Sequence, residues 1–297
     1  MSSPDTTLPM PAFARDDQAL QILKEQHPVH AEIIQSLREN GFAILDPGFD
    51  PEDLQIAEDF CAAAVRKHGR VPNGWQVCDA VANLATHQPL LDALSAIYGR
   101  RAFPFQTLNF EFGTQQNAHA DTYHFNAKPD GFMCGVWVAL EDVADDAGPL
   151  FYYPGSHKLD TIERMDLIGA RSYGDYEAHI AKAMQTRGFE RRTALLKRGQ
   201  ALIWAANLVH GGAPRIDPGL TRYSQVTHYF FDGCAYYTPL QYDLKRQQHA
   251  LRQPYDFARR RFVKSDRSIL PGRSYTVTNL HQRARIYSVP IQRLFQR

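Results

Sequence analysis

FPFQTLNFEF, residues 103–112, alternates large apolar side chains with polar ones, the period-two pattern of a half-buried strand. Downstream, FMCGVWVALEDV (132–143) is a near-continuous apolar run, and LFYYPGS (150–156), RTALLKRG (192–199), QALIWAANLVHGG (200–212) and TRYSQVTHYFF (221–231) follow with Gly and Pro turns between them. Upstream of Ala102 the period is helical. Pro28 opens HAEIIQSLRENG after a flexible start, Ile33, Ile34 and Leu37 form a stripe, and Gly41 closes the helix. FAILD (42–46) reads as a short strand. Asp50-Pro51-Glu52-Asp53 then starts a helix with an N-cap, a proline at the first position and acids in the first turn. A further helix is expected over PLLDALSAIYG (89–99). Strands that follow a helical start make this an α+β chain with a mainly β core, a sandwich or barrel.

The chain has 297 residues, 44% of them hydrophobic and 11% aromatic, the composition of a folded protein with ample core. Cys61, Cys78, Cys134 and Cys234 form no CxxC pair, which argues against a zinc ribbon or a disulfide framework and for a reducing, cytoplasmic setting. No run approaches the roughly 18 apolar residues of a membrane span, and no aromatic-basic module suggests nucleic acid. The net charge of +1 hides an asymmetry: residues 243–297 carry net +10 and the rest net −9. Such a segment is a solvated basic face or a rim that attracts an anionic small-molecule substrate. Oligomeric state is not legible.

The chemistry concentrates in AHADTYHFN (118–126). On a strand, His119 and Asp121 point to one side while Ala120 points away. His210, at the end of an apolar strand, is the partner that a β fold could bring beside them. Two histidines and one carboxylate make the facial triad of non-haem Fe(II) oxygenases, which leaves open positions on the ion. His124 lies five residues from His119 and so on the opposite face of a straight strand, unless a turn at Asp121-Thr122 brings it back. His157 in PGSH reads as a turn residue beside a backbone-bonding Ser156. His228 shares a face with Arg222 but reads as a core histidine.

HAD (119–121), GVWVALEDV (135–143), GPLFYYPGSH (148–157), GQALIWAANLVHGG (199–212) and TRYS (221–224), in this order and spacing, resemble the phytanoyl-CoA dioxygenase family of Fe(II)/2-oxoglutarate enzymes. The resemblance runs from LRENGFAILDPGFDPEDL (37–54) to about Phe231. It implies a double-stranded β-helix, the cupin-like jelly roll, flanked by N-terminal helices. One domain over 1–297 would then hold a helical opening (about 15–100), a jelly-roll core (about 102–232) with an insertion (about 159–191), and a basic C-terminal extension (235–297). It also implies Fe(II) on His119, Asp121 and His210, 2-oxoglutarate and O2 as co-substrates, and hydroxylation of a small molecule with release of succinate and CO2. Arg222, twelve residues after His210, matches the family's 2-oxoglutarate arginine better than Arg215 does. Asn109 resembles a strand position that bonds the co-substrate, Thr107 shares its face, and Trp137 resembles an aromatic that lines its pocket. His124 and Tyr123 are expected on the substrate side. Related halogenases lack the carboxylate that Asp121 supplies, so hydroxylation is favoured over halogenation. The competing reading is an inactive jelly roll that binds a metal or small molecule without oxidising it.

Overall fold

A computed structural model describes residues 9–64, 70–159, 172–243, 248–269 and 275–277. The helical opening begins earlier than expected. α1 (Asp17–Gln26) replaces the predicted flexible start: the Asp16 carboxylate accepts from the Ala19 N–H at 2.9 Å, and Leu20 and Leu23 are buried. α2 (Ala31–Asn40) buries Ile34 and Leu37 and ends where the Gly41 N–H reaches the Leu37 carbonyl at 3.1 Å. Gly41 has φ +80°, and a Cβ there would overlap the His157 imidazole, so two constraints require glycine. β1 (Phe42–Leu45) follows directly. Asp50 accepts from the Glu52 N–H at 2.8 Å at the start of α3 (Pro51–Ala64), as the sequence predicts. β2 (Arg70–Pro72), α4 (Asp79–Thr86) and α5 (Gln88–Tyr98) complete the opening.

The core strands are β3 (Ala102–Phe110), β4 (Asn126–Lys128), β5 (Met133–Ala139), β6 (Leu150–Tyr152), β7 (Arg192–Thr193), β8 (Ala201–Ala205), β9 (His210–Gly212) and β10 (Ser224–Phe231). α6 (Tyr173–Thr186) lies in the expected insertion, of which residues 160–171 fall outside the described residues. Among the described residues, six antiparallel strands form one sheet in the order β1-β8-β5-β10-β3-β2, and β7-β6-β9 form a second. These two sheets are the faces of a jelly roll.

The large sheet separates two apolar regions by alternation along each strand. Val136, Val138, Ile203 and Tyr229 pack outward with Leu84, Leu94 and Ile97 of the helices. Trp137, Leu202, Trp204 and Val226 point inward, with Phe110, Leu150 and Tyr152. The alternation in FPFQTLNFEF slips where β3 bulges against β10: His228 pairs with Gln106, and Tyr229 with Pro104. Phe105, the bulged residue, stacks on Phe230 at 4.2 Å. After the bulge Gln106, Leu108 and Phe110 face inward.

The C-terminal segment is only partly an extension. β11 (Ala235–Asp243) and β12 (Gln248–Leu251) pair with each other, β11 with β4, and β12 with β13 (Tyr275–Val277). Tyr236 and Tyr237 are buried, and the Tyr236 hydroxyl donates to the Phe231 carbonyl at 2.7 Å. Part of its charge is neutralised internally: Arg101 and Arg259 both bridge Asp232 and the buried Asp256. Residues 244–247, 270–274 and 278–297 lie outside the described residues.

The PGSH turn ties helix to barrel as well as turning. His157 donates from Nε2 to the Arg38 carbonyl of α2 at 3.3 Å, Asn207 donates to the His157 carbonyl, and Ser156 Oγ accepts the Val209 N–H at 2.9 Å. Burial pushes the His157 imidazole down to about 4 from 6.5. Between those values the unfolded chain binds a proton that the folded chain refuses, so this contribution to stability is complete above pH 6.5 and falls as pH drops towards 4. His157→Gln keeps a donor for Arg38 and removes the titration. A shallower fall of Tm over that window is expected; an unchanged slope would show that His157 does not contribute to it.

Candidate metal centre and its cavity

His119 and His210 are about ninety residues apart in sequence and directly opposite in space. They exchange two backbone hydrogen bonds of 2.9 Å, N–H to carbonyl in each direction, as an antiparallel bridge that widens the smaller sheet. Each imidazole donates Nδ1–H to the carbonyl two residues earlier: His119 to Asn117 at 2.9 Å and His210 to Leu208 at 3.0 Å. That fixes both tautomers and leaves each Nε2 lone pair free toward a common point. Beyond Ala120 the chain turns through a 3-10 turn over Asp121–Tyr123. Asp121 Oδ1 then lies 4.0 Å from His119 Nε2 and 3.8 Å from His210 Nε2. The three donor atoms lie within 4.8 Å of one another, on side chains that are all buried.

The other carboxylate oxygen is held from behind. Trp204 Nε1–H donates to Asp121 Oδ2 at 2.7 Å, and His228 Nε2 lies 3.6 Å from the same oxygen. Both arrive through one cross-strand row, Trp204–Gly135–His228, in which Gly135 is opposite each neighbour. A Cβ on Gly135 would overlap the Trp204 indole, so the indole reaches Asp121 because this strand position lacks a side chain. His228 is thus a cavity residue facing Asp121 and not the core histidine that its strand suggests. Trp204 was not anticipated; its signal is an inward indole, which needs a hydrogen-bond acceptor when buried.

Burial alone would raise the Asp121 carboxyl, but His210, His228 and His119 outweigh it and hold the group below the ordinary carboxylate range. Burial, reinforced by His210, pushes His119 down to about 4, so at neutral pH it presents a bare nitrogen. One carboxylate and two imidazole nitrogens aimed at a common point suit a divalent transition metal.

The triad lines a cavity of about 390 Å3, within the range of small-molecule sites. Arg222 lines the same cavity, 3% exposed. Its guanidinium lies 5.4 Å from the Trp137 ring and donates to the Gly148 carbonyl at 2.9 Å; no carboxylate among the described residues pairs with it. Burial lowers it to about 10, so it stays charged. Arg222 Nε and Trp137 Nε1 are buried donors without a protein acceptor. Two orphaned donors in one apolar-walled cavity are a ready receptor for a carboxylate.

Three expected residues are elsewhere. Thr107 and Asn109 point outward from β3 to the helices. Asn109 Nδ2 donates to Gln225 Oε1 at 3.2 Å and lies 3.8 Å from Cys61 Sγ, and neither residue lines the cavity. The bulge at Phe105 gives the inward face to Gln106 and Leu108 instead. Tyr123 stacks on Tyr176 of α6 at 4.3 Å and is fully buried away from the cavity. His124 does line the cavity, because the 3-10 turn rotates it back toward His119.

The phytanoyl-CoA dioxygenase (PhyH) family model matches residues 28–219. This chain belongs to the PhyH family. The PhyH match covers both histidines and Asp121, and stops three residues before Arg222. A phytanoyl-CoA dioxygenase domain-containing protein 1 from Mus musculus is 30% identical over 29% of this chain and 32% of its own, and one from Danio rerio is 40% identical over 18% of each. The chain therefore aligns with at most about a third of these relatives. Among solved structures, the alpha ketoglutarate-dependent carbocyclase SnoK from nogalamycin biosynthesis matches with TM-score 0.58 and 16% identity, over 71% of this chain and 87% of SnoK. EctD from S. alaskensis with bound Fe matches with TM-score 0.55 and 17% identity, over 78% and 85%. Both confirm the jelly-roll fold of this PhyH chain.

Trp204→Phe keeps the ring and removes the Asp121 clamp. Divalent-metal affinity, measured by competition with a chelator, is expected to fall by roughly 10- to 100-fold. Gly135→Val, which touches no ligand, should do the same by displacing the indole. Wild-type affinity in both would mean that Asp121 needs no support.

Proposed function

We propose that this chain is an Fe(II)- and 2-oxoglutarate-dependent dioxygenase that hydroxylates an unactivated C–H bond of a small-molecule metabolite, releasing succinate and CO2. The observation that carries this reading is one cavity with a buried His-Asp-His triad and a buried, unpaired Arg222. His119, Asp121 and His210 would hold the iron and leave its remaining positions open. Arg222 and the Trp137 indole N–H would bind the far carboxylate of 2-oxoglutarate. SnoN in complex with Fe3+ and alpha ketoglutarate, and EctD with 2-oxoglutarate, share the fold and support the choice of co-substrate.

Iron held by His119, Asp121 and His210, together with 2-oxoglutarate and O2, would supply the oxidising power for the C–H bond. The protein's own part is positional. Trp204 and His228 fix which oxygen Asp121 offers. Leu108, Phe110, Leu150 and Val226 line the cavity with hydrocarbon and keep bulk water from the reacting atoms. Asp121 occupies the place that a halide would need, which supports oxygenation over halogenation.

A cytoplasmic location is part of the proposal: the four cysteines are free, and among the described residues no helix is long and apolar enough to cross a membrane. Neither nucleic acid nor a membrane is required as a partner.

The test is Arg222→Ala. Metal content should be retained while 2-oxoglutarate affinity falls by about 100-fold or more, as for loss of a buried bidentate partner. Wild-type protein with Fe(II) and O2 should convert 2-oxoglutarate to succinate. Absence of both iron binding and succinate formation would favour a non-catalytic binding protein.

A further inference from the structure

The charged groups that line the cavity are unevenly placed. Arg70 pairs with Phe110 across β2 and β3, and the Arg222 N–H bonds the carbonyl of the next residue, Glu111, so both guanidiniums arise at the Phe110 end of β3. Gln106, in the row of His228, is four residues away, roughly 13 Å along the strand. Around that row the described wall holds no Arg, Lys, Asp or Glu except the triad's own Asp121; it includes Gln106, Gln116, His124, Phe125, Tyr173 and His228.

This wall is polar without being ionic. His124 Nε2 lies 3.2 Å from the Tyr173 hydroxyl, at the first residue of α6. The Gln116 side chain also hydrogen-bonds this hydroxyl, so with two protein partners one oxygen lone pair is left for a ligand that donates. α6 is fixed to the ligand loop, with Tyr176 OH accepting the Ala120 N–H at 3.1 Å and Asn117 donating to Glu177 at 3.2 Å, so Tyr173 is held at a set distance from the metal position. Among the described residues the Gln106 carboxamide has no hydrogen-bond partner. Arg252, whose guanidinium lies 4.7 Å from the Phe125 ring and donates to the His124 carbonyl at 3.4 Å, does not line the cavity. An ionic group placed against this wall would be desolvated without a counter-charge, which is costly; a neutral hydrogen-bonding group would not.

We propose that the wall of His124, Phe125 and Tyr173 receives an uncharged part of the primary substrate, a hydroxyl on an apolar body, with Tyr173 as its specificity-determining hydrogen-bond partner. This rests on the dioxygenase reading of the cavity, and it replaces the anionic substrate that the basic C-terminal segment suggested. Arg101 and Arg259 are engaged with Asp232 and Asp256, and Arg252 with the Phe125 ring and the His124 carbonyl.

The experiment uses the full chain loaded with Zn(II) and 2-oxoglutarate, which does not turn over, and three probes that share one ring: benzyl alcohol, benzoate and benzylammonium. Dissociation constants are read by saturation-transfer NMR in wild type, Tyr173→Phe and His124→Phe. Benzyl alcohol is expected to bind more tightly than either ion, and to lose about tenfold in Tyr173→Phe, the loss of one hydrogen bond. Equal or tighter binding of an ion, no effect of Tyr173→Phe, or no binding of the alcohol would overturn the proposal. 2-Oxoglutarate is titrated in the same samples. If it binds while the probe pattern fails, only this proposal falls; if it does not bind, the dioxygenase reading falls as well.

Discussion

The paired backbone hydrogen bonds between His119 and His210 are the contact on which the site depends. They join two distant stretches of chain at one rung, and the rung sets both imidazoles on the same side. Each ring is then oriented by its own backbone, through the carbonyl two residues earlier. The same local solution occurs twice, so the metal position is defined by main chain more than by side-chain packing. The Ser156 hydroxyl on the Val209 N–H and Asn207 on the His157 carbonyl secure the approach to His210, and tie it to α2.

The large sheet serves two environments at once. Its outward residues complete an apolar core with the N-terminal helices, and its inward residues build the cavity. A side chain's role therefore depends on the parity of its position, and one bulge changes parity for the rest of a strand. Thr107 and Asn109 illustrate the consequence. Both are polar, both lie in the right strand, and both belong to the helix side because the bulge at Phe105 shifted the phase. Gly135 shows the reverse case, where a missing side chain lets Trp204 cross to Asp121.

Charge in this molecule is segregated. Arg222 and Asp121 are buried in one cavity with separate tasks, while Arg101, Arg259, Asp232 and Asp256 form a network that pins the C-terminal strands to the barrel. Such a network is structural by its geometry, since each carboxylate has two guanidinium partners. Part of the segment's charge is therefore used to hold its own strands in place.

The ordering of helices before strands and the caps at Gly41 and Asp50 were legible in the sequence, because period and turn chemistry are local properties; His119, Asp121, His210 and Arg222 were legible through the resemblance of their motifs to a known family. The start of α1 is marked there too, by the Asp16 cap and the Leu20–Leu23 stripe. The orientation of His124, the role of His228, the clamp from Trp204 and the displacement of Asn109, Thr107 and Tyr123 were decided by tertiary structure alone. Each depends on a strand register, a bulge or a 3-10 turn whose effect appears only once a second strand or helix packs against it. Residue types and spacing specify which chemistry is available; which face each side chain takes is settled by the neighbours that the fold supplies.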